Sequence, residues 1–376
     1  MKYIRLLLLI LPSLVNAVDI NSYYGTYDAN TKEIGKAASS LKGPIFEQWE
    51  PPRKPSVPYR VAVLLPHLED GYWKSVWYGI SKEAERLNIQ LTLFDAGGYE
   101  NSAKQRHHLT SDILGSNFDG LLIGSIKYSG FDKYINKVQK EGISIISIIN
   151  DMSAQELNGK VLNSYKSYGM KIGEEVIRES AGKDIRIGLF PGPKGVIWAE
   201  EMAKGFKQAL QDNPKKMPLG RVTMVANLPG EMQALPQARL VDFVLKNKER
   251  VNFIVANPIA AQQATKIYHK YKYDHNDLKI YSLYMTPEIY PQIVTGEIFL
   301  APIDFAVTKG EISLGLLVKN LEIAKGIYKK SEIPYRVEPV LDIISSDNVK
   351  DVNYESMFEP ASQLDATEVD STAVTP

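Results

Sequence analysis

The stretch YRVAVLLPHLEDGYWKSVWYG, residues 59–79, decides the reading of the fold. It begins with an apolar run ending at Pro66, the pattern of a strand buried on both faces. A short polar loop follows. Trp73, Trp77 and Ile80 then recur at helical spacing and predict an amphipathic helix to about Leu87. Strand, loop and helix make the opening unit of an α/β sheet, whose ligands sit at the carboxyl ends of its strands. The loop sets the carboxylate of Asp70 beside Tyr72 and Trp73, whose ring faces attract cations. Trp77 reads as core, whereas Trp73 at the helix start reads as available to a ligand. Asp70 has a second reading, as the helix N-cap.

The same alternation runs on through the chain. Strands are predicted at Arg60–Leu65, Gln90–Phe94, Gly120–Gly124, Ser144–Ile149, Ile185–Phe190, Arg221–Ala226, Asn252–Ala256, Lys279–Leu283 and Ile298–Ala301. Helical patterns lie between them, the last over Lys309–Tyr328. Alternating β and α implies parallel sheets, and a chain of 376 residues exceeds one ordinary core. The expected fold is therefore α/β, with two Rossmann-like lobes of parallel sheet joined by a three-stranded hinge. The first lobe is expected from 59–164 plus 302–330, and the second from 165–301 plus 331–358. Crossings are expected near Ser164, Ala301 and Lys330. The halves echo each other: Gly71-Tyr72-Trp73 precedes the first helix as Gly195-Val196-Ile197-Trp198 precedes the fifth.

Residues 1–17 read as a secretory signal peptide. Lys2 and Arg5 precede an apolar run that closes on Val15-Asn16-Ala17. Residues 18–58 read as an N-terminal extension, kept extended near its end by Pro51, Pro52, Pro55 and Pro58. Residues 359–376 read as a disordered tail. The chain has no Cys, which suits an oxidising periplasm. Lys+Arg and Asp+Glu are each 44, so nothing in the charge points to nucleic acid.

Catalytic and metal signatures are weak. His107 and His108 are adjacent and cannot share a helix face as a metal pair needs. Pro191-Gly192-Pro193-Lys194-Gly195 follows a strand but is neither a dinucleotide fingerprint nor a P-loop. No nucleophile elbow occurs. The chain is expected to bind rather than catalyse. Asn150, Asp151 and Asn257, at strand ends, read first as turn residues, with lining a cleft as their second reading. Asp304 reads as a structural residue of the hinge.

Several segments carry a family likeness. They are Tyr72-Trp73, Asp95-Ala96-Gly97-Gly98-Tyr99, Pro191-Gly192-Pro193, Gly205-Phe206 and Ser282-Leu283-Tyr284. With them, from about Tyr59 to Ile344, the chain resembles the type I periplasmic binding proteins of the ribose-binding family, and within it the members that sense trimethylamine N-oxide. That resemblance implies a ligand in an aromatic cage between the lobes. Carried over by position, the cage is Trp73 and Tyr99 from the first lobe and Tyr284 from the second. Tyr165 stands nearest the fourth wall, where the family has Trp, and Tyr168 competes with it. Asp70 matches an acidic position ahead of the first helix. Trp198 lies outside the family pattern and offers either a further wall or packing at a helix start. The resemblance further implies trimethylamine N-oxide or a related methylated amine as ligand, no cofactor, and a membrane sensor histidine kinase as partner. The alternative is the solute-binding component of an importer for a quaternary amine or a sugar.

Overall fold

The computed structural model describes residues 18–32, 34–212, 220–246, 250–273 and 277–360. The signal-peptide reading (1–17), His275 and nearly all of the expected tail lie outside them. The first lobe is an eight-stranded sheet in the order β2-β1-β13-β7-β6-β5-β3-β4. Its strands are β1 (Asp19–Tyr24), β2 (Lys42–Gln48), β3 (Arg60–Leu65), β4 (Gln90–Asp95), β5 (Gly120–Ile123), β6 (Ser144–Ile148), β7 (Gly159–Val161) and β13 (Arg336–Pro339). The second is a six-stranded sheet in the order β14-β12-β11-β10-β8-β9. Its strands are β8 (Ile185–Phe190), β9 (Val222–Asn227), β10 (Phe253–Ala256), β11 (Lys279–Ser282), β12 (Leu300–Pro302) and β14 (Ile343–Ser345). The inner strands are parallel and apolar on both faces, as their unbroken Val, Ile and Leu runs require.

Helices cover both faces of each sheet. In the first lobe these are α1 (Gly71–Leu87), α2 (Ser102–His107), α3 (Asp132–Lys140) and α9 (Ala306–Leu321). In the second they are α4 (Tyr165–Ser180), α5 (Ile197–Asp212), α6 (Ala234–Leu245), α7 (Pro258–Ile267), α8 (Tyr290–Val294) and α10 (Tyr354–Met357). α1 packs against α9, and α4 against α5. The apolar side chains form two cores per lobe, one on each face of its sheet.

Four expectations need correction. The N-terminal segment is no appendage: β1 pairs antiparallel with β13, Ile20 facing Pro339, and β2 adds an edge beyond it. Residues 331–358 do not all belong to the second lobe, because β13 lies in the first sheet between β1 and β7. The third crossing consequently runs through residues 340–342, between β13 and β14, and not near Lys330, which is tied to Asn158 and Asn320. The other crossings are residues 162–164 and 303–305. The first residue of the expected tail is also packed: Glu359 is buried, and its N–H donates to Ser75 Oγ. Short strands with mixed side chains (β1, β2, β7, β13, β14) carry too little apolar signal to be read from sequence. The segment 102–115 proves to be α2 followed by a π-helical turn over His108–Ile113.

Buried charge locks the N-terminal segment onto the first lobe. Asp151 pairs with Lys32, from the loop between β1 and β2, and with Lys160 of β7 at 3.0 Å. Gly35 N–H donates to the same carboxylate at 3.2 Å. Arg336 of β13 donates to the carbonyls of Gly35 and Lys36 and pairs with Glu338. Burial alone would raise the Asp151 carboxyl, but Lys160 and Lys32 hold it below the usual value. Burial pulls the Lys160 ammonium down to about 7, against the opposing pull of Asp151.

Two outcomes follow. At pH 6, where Lys160 still holds its proton, Asp151→Asn strands two buried ammonium groups and should cost roughly 3–5 kcal/mol in urea unfolding. Between about pH 7 and 10.5 the unfolded chain holds the Lys160 proton and the folded chain does not. Stability relative to a Lys160→Met variant should therefore rise with pH across that window, read as unfolding midpoints at several pH values.

Candidate functional site

Loops at the carboxyl ends of the strands of both sheets converge where the lobes meet. After β3, Asp70 Oδ1 accepts from the Trp73 N–H at 2.9 Å and caps α1, which fixes Tyr72 and Trp73 in its first turn. After β4, Gly98 N–H donates to Pro66 O at 2.8 Å, and Tyr99 follows. After β6, Ile149 adopts a positive φ of 62°, a strained conformation for a β-branched residue, and presents Asn150. The second lobe supplies Tyr165 at the start of α4, Trp198 at the start of α5 and Tyr284 after β11.

These loops enclose a cavity of about 530 Å³, and its wall includes all six predicted residues: Asp70, Trp73, Tyr99, Tyr165, Trp198 and Tyr284. Tyr168, the competing choice, is not in the wall; it accepts a hydrogen bond from buried Lys309 at 3.2 Å. A larger depression along α5, near Lys204 and Lys207, has no aromatic ring in its lining. The volume of the interlobe cavity suits a small-molecule site.

The rings are locked in place. Tyr284 meets Trp198 edge-on at 5.7 Å between centroids, and Tyr72 of the opposite lobe at 6.4 Å. His67 meets Tyr99 at 5.4 Å. Each tryptophan leans on a glycine. A Cβ at Gly124 would lie 2.6 Å from Trp73 Cη2, and one at Gly192, whose φ is 115°, would lie 2.7 Å from Trp198 Cη2. Trp73 is both wall and core: it is only 2% exposed and packs with Val76 and Ile80. Trp77 packs against the same core while only partly buried, and Trp73 reaches deeper into it than its place at the helix start suggests. The Trp73 side chain turns inward to rest on Gly124.

Hydrogen bonds spend some hydroxyls and free others. Tyr99 OH accepts from Trp73 Nε1 at 3.2 Å and from Asn150 Nδ2 at 3.3 Å, which leaves its own proton for another acceptor. Burial pushes that phenol up to about 12, so it remains a donor. Tyr165 OH lies 2.9 Å from Ile149 O and 3.0 Å from Asn150 Oδ1. Tyr72 OH donates to Asp304 Oδ2 at 3.2 Å, and the other oxygen of Asp304 pairs with Lys309. Desolvation by the surrounding walls raises the Asp70 carboxyl above its usual value, against the opposing influence of His67 at 3.7 Å.

Among the wall residues outside the predicted six, His67 was given no role, and Tyr72 was noted only as a ring beside Asp70. Asn150 was read first as a turn residue, with the cleft as its alternative, and Asp304 as a structural residue of the hinge; both line the cavity. Asp151 faces the lysine clasp, and Asn257 caps α7 by accepting from the Ala260 N–H. Among the described residues no group of three or more His, Cys, Asp or Glu is placed to hold a metal ion.

Against this geometry, a periplasmic binding protein domain matches residues 61–304. The chain belongs to the periplasmic binding protein family. The two-lobed α/β architecture is that of its type I members. The periplasmic protein TorT of Escherichia coli K12 is 24% identical over 271 residues, covering 72% of this chain and 75% of that one. Among solved structures, an ABC transporter solute-binding protein from Bradyrhizobium sp. BTAi1 with bound bis-Tris has a TM-score of 0.77 at 25% identity, covering 92% of this chain and 96% of that chain. The complex of TorT with the TorS sensor domain in the presence of TMAO has a TM-score of 0.68 at 19% identity, covering 81% and 97%. At that identity the likeness is one of fold. The protein is thus a periplasmic solute-binding protein.

Gly124→Ala probes the wall without touching a polar group. It should push the Trp73 ring toward the cavity and quench or shift tryptophan fluorescence, while far-ultraviolet circular dichroism stays that of the parent. The overpacking should cost about 1–3 kcal/mol in denaturant unfolding.

Proposed function

We propose that this periplasmic binding protein is a receptor for a small methylated amine, with trimethylamine N-oxide the lead ligand. On closing around it, the protein presents an altered surface to a membrane sensor histidine kinase of the TorS type. The observation that carries the reading is the aromatic cavity itself, with a donor hydroxyl, Tyr99, set among the rings. Aromatic faces stabilise a desolvated methylated nitrogen by roughly 0.5–2 kcal/mol each. The Tyr99 proton, not committed to the protein, supplies the hydrogen bond that the oxide requires. The Trp73 indole N–H is already spent on Tyr99, so it does not serve the ligand. Ligand acts by binding the closed arrangement better than the open one. The similarity to TorT supports the kinase partner.

A second reading, the solute-binding component of an importer for a quaternary amine or a sugar, is favoured by the similarity to the Bradyrhizobium protein. Titration calorimetry of the purified chain with trimethylamine N-oxide and ribose separates amine from sugar. Trimethylamine N-oxide should bind, and Tyr99→Phe, which keeps the ring, should weaken it about tenfold, the scale of one buried hydrogen bond. Binding of ribose without any methylated amine would reject the receptor reading. Capture of a sensor-kinase periplasmic domain in ligand-dependent fashion separates signalling from import.

A further inference from the structure

We infer that the cleft selects among methylated amines by charge, admitting those that end in a hydroxyl, or in an oxide bonded directly to the cationic nitrogen, and turning away those that end in a separate carboxylate. This rests on the methylated-amine reading given above and sharpens it. The ring walls fix where a guest sits; the ionisable groups around them fix what it can carry. The wall contains Glu69, Asp70, Glu100, Glu231 and Asp304, and neither lysine nor arginine. Its basic group is His67, which faces Asp70. Asp304 is answered from behind by Lys309, so its charge is committed. Among the described residues Glu69, Glu100 and Glu231 have no ion-pair partner.

Glu69 and Glu100 stand on the first lobe and Glu231 on the second, so the negative field acts across the cleft. Such exposed groups are individually weak and screened by salt. Between low-dielectric walls their fields focus and add. A guest carboxylate entering here gives up its water, meets like charge and finds no guanidinium or ammonium to receive it. A methylated ammonium meets the reverse.

A second observation concerns the oxygen end of the guest. Trp198 lines the cavity at 8% exposure, and its indole N–H has no hydrogen-bond partner among the described residues. With the Tyr99 hydroxyl it gives the wall two donors that suit a hydroxyl oxygen, or the formally negative oxide oxygen whose charge is balanced by the nitrogen that bears it.

Choline and glycine betaine test this directly, since they share a trimethylammonium head and differ in a hydroxymethyl against a carboxylate. In titration calorimetry at low salt and neutral pH, choline should bind at least about tenfold more tightly than glycine betaine, the scale of a like-charge contact. The ratio should shrink at high salt and in a Glu69→Gln/Glu100→Gln/Glu231→Gln variant whose melting curve matches the parent. Equal affinities, tighter binding of glycine betaine, or binding of trimethylamine N-oxide with no binding of choline would each overturn the inference and leave the receptor reading standing. If trimethylamine N-oxide, choline and glycine betaine all fail to bind, the receptor reading itself falls.

Discussion

A buried carboxylate at a crossing between the lobes governs much of this structure. Asp304 sits where the chain passes from β12 to α9, and its charge must be met because water does not reach it. Lys309, one turn into α9, meets it, and passes a further hydrogen bond to Tyr168 on α4 of the other lobe. Tyr72, on α1, supplies the remaining donor from the cavity side. One ion pair thereby joins the crossing segment, both lobes and the ligand wall. A change in how the lobes sit must rearrange these partners, and a guest against Tyr72 bears on the same network.

The walls follow from that arrangement by ordinary packing. Aromatic rings bring large apolar faces at low conformational cost, and their polar tips demand partners when buried. Asn150 meets this demand for two rings at once, donating to Tyr99 and bonding Tyr165, and is held in turn by Ser125 O. Ile149 carries unfavourable backbone geometry so that Asn150 can reach them. Asp70 serves two ends in the same way: one oxygen caps α1, while the other faces His67 at the cavity mouth. The N-cap and wall readings of Asp70 are therefore compatible, because its two oxygens point to different tasks.

The sequence revealed most where apolar periodicity was strong. The run at Arg60–Leu65 and those like it gave the inner strands and the two-sheet architecture, because a strand buried on both faces must be apolar throughout. Five aromatics near strand ends and helix starts, together with Asp70, were named from the sequence and share one cavity wall. What escaped notice had a different physical basis. β1, β13 and β14 are short and mixed, and they exist through pairing with distant partners rather than through local pattern. The roles of Asp304 and Asn150 depend on which groups lie opposite in three dimensions, and no spacing along the chain encodes that. Trp73 proves to be core as well as wall, because helical spacing names a stripe without saying how deep each member reaches.

The pairing of β1 with β13 has a temporal side. Ile20 and Pro339 are neighbours in space and lie near opposite ends of the described chain. Contacts of such sequence separation carry a large loop-closure cost and form late. The first lobe can complete its sheet only after β8 to β12 of the second lobe have passed in chain order. A newly made polypeptide of this design therefore leaves the edge of its first sheet unpaired until β13 has emerged.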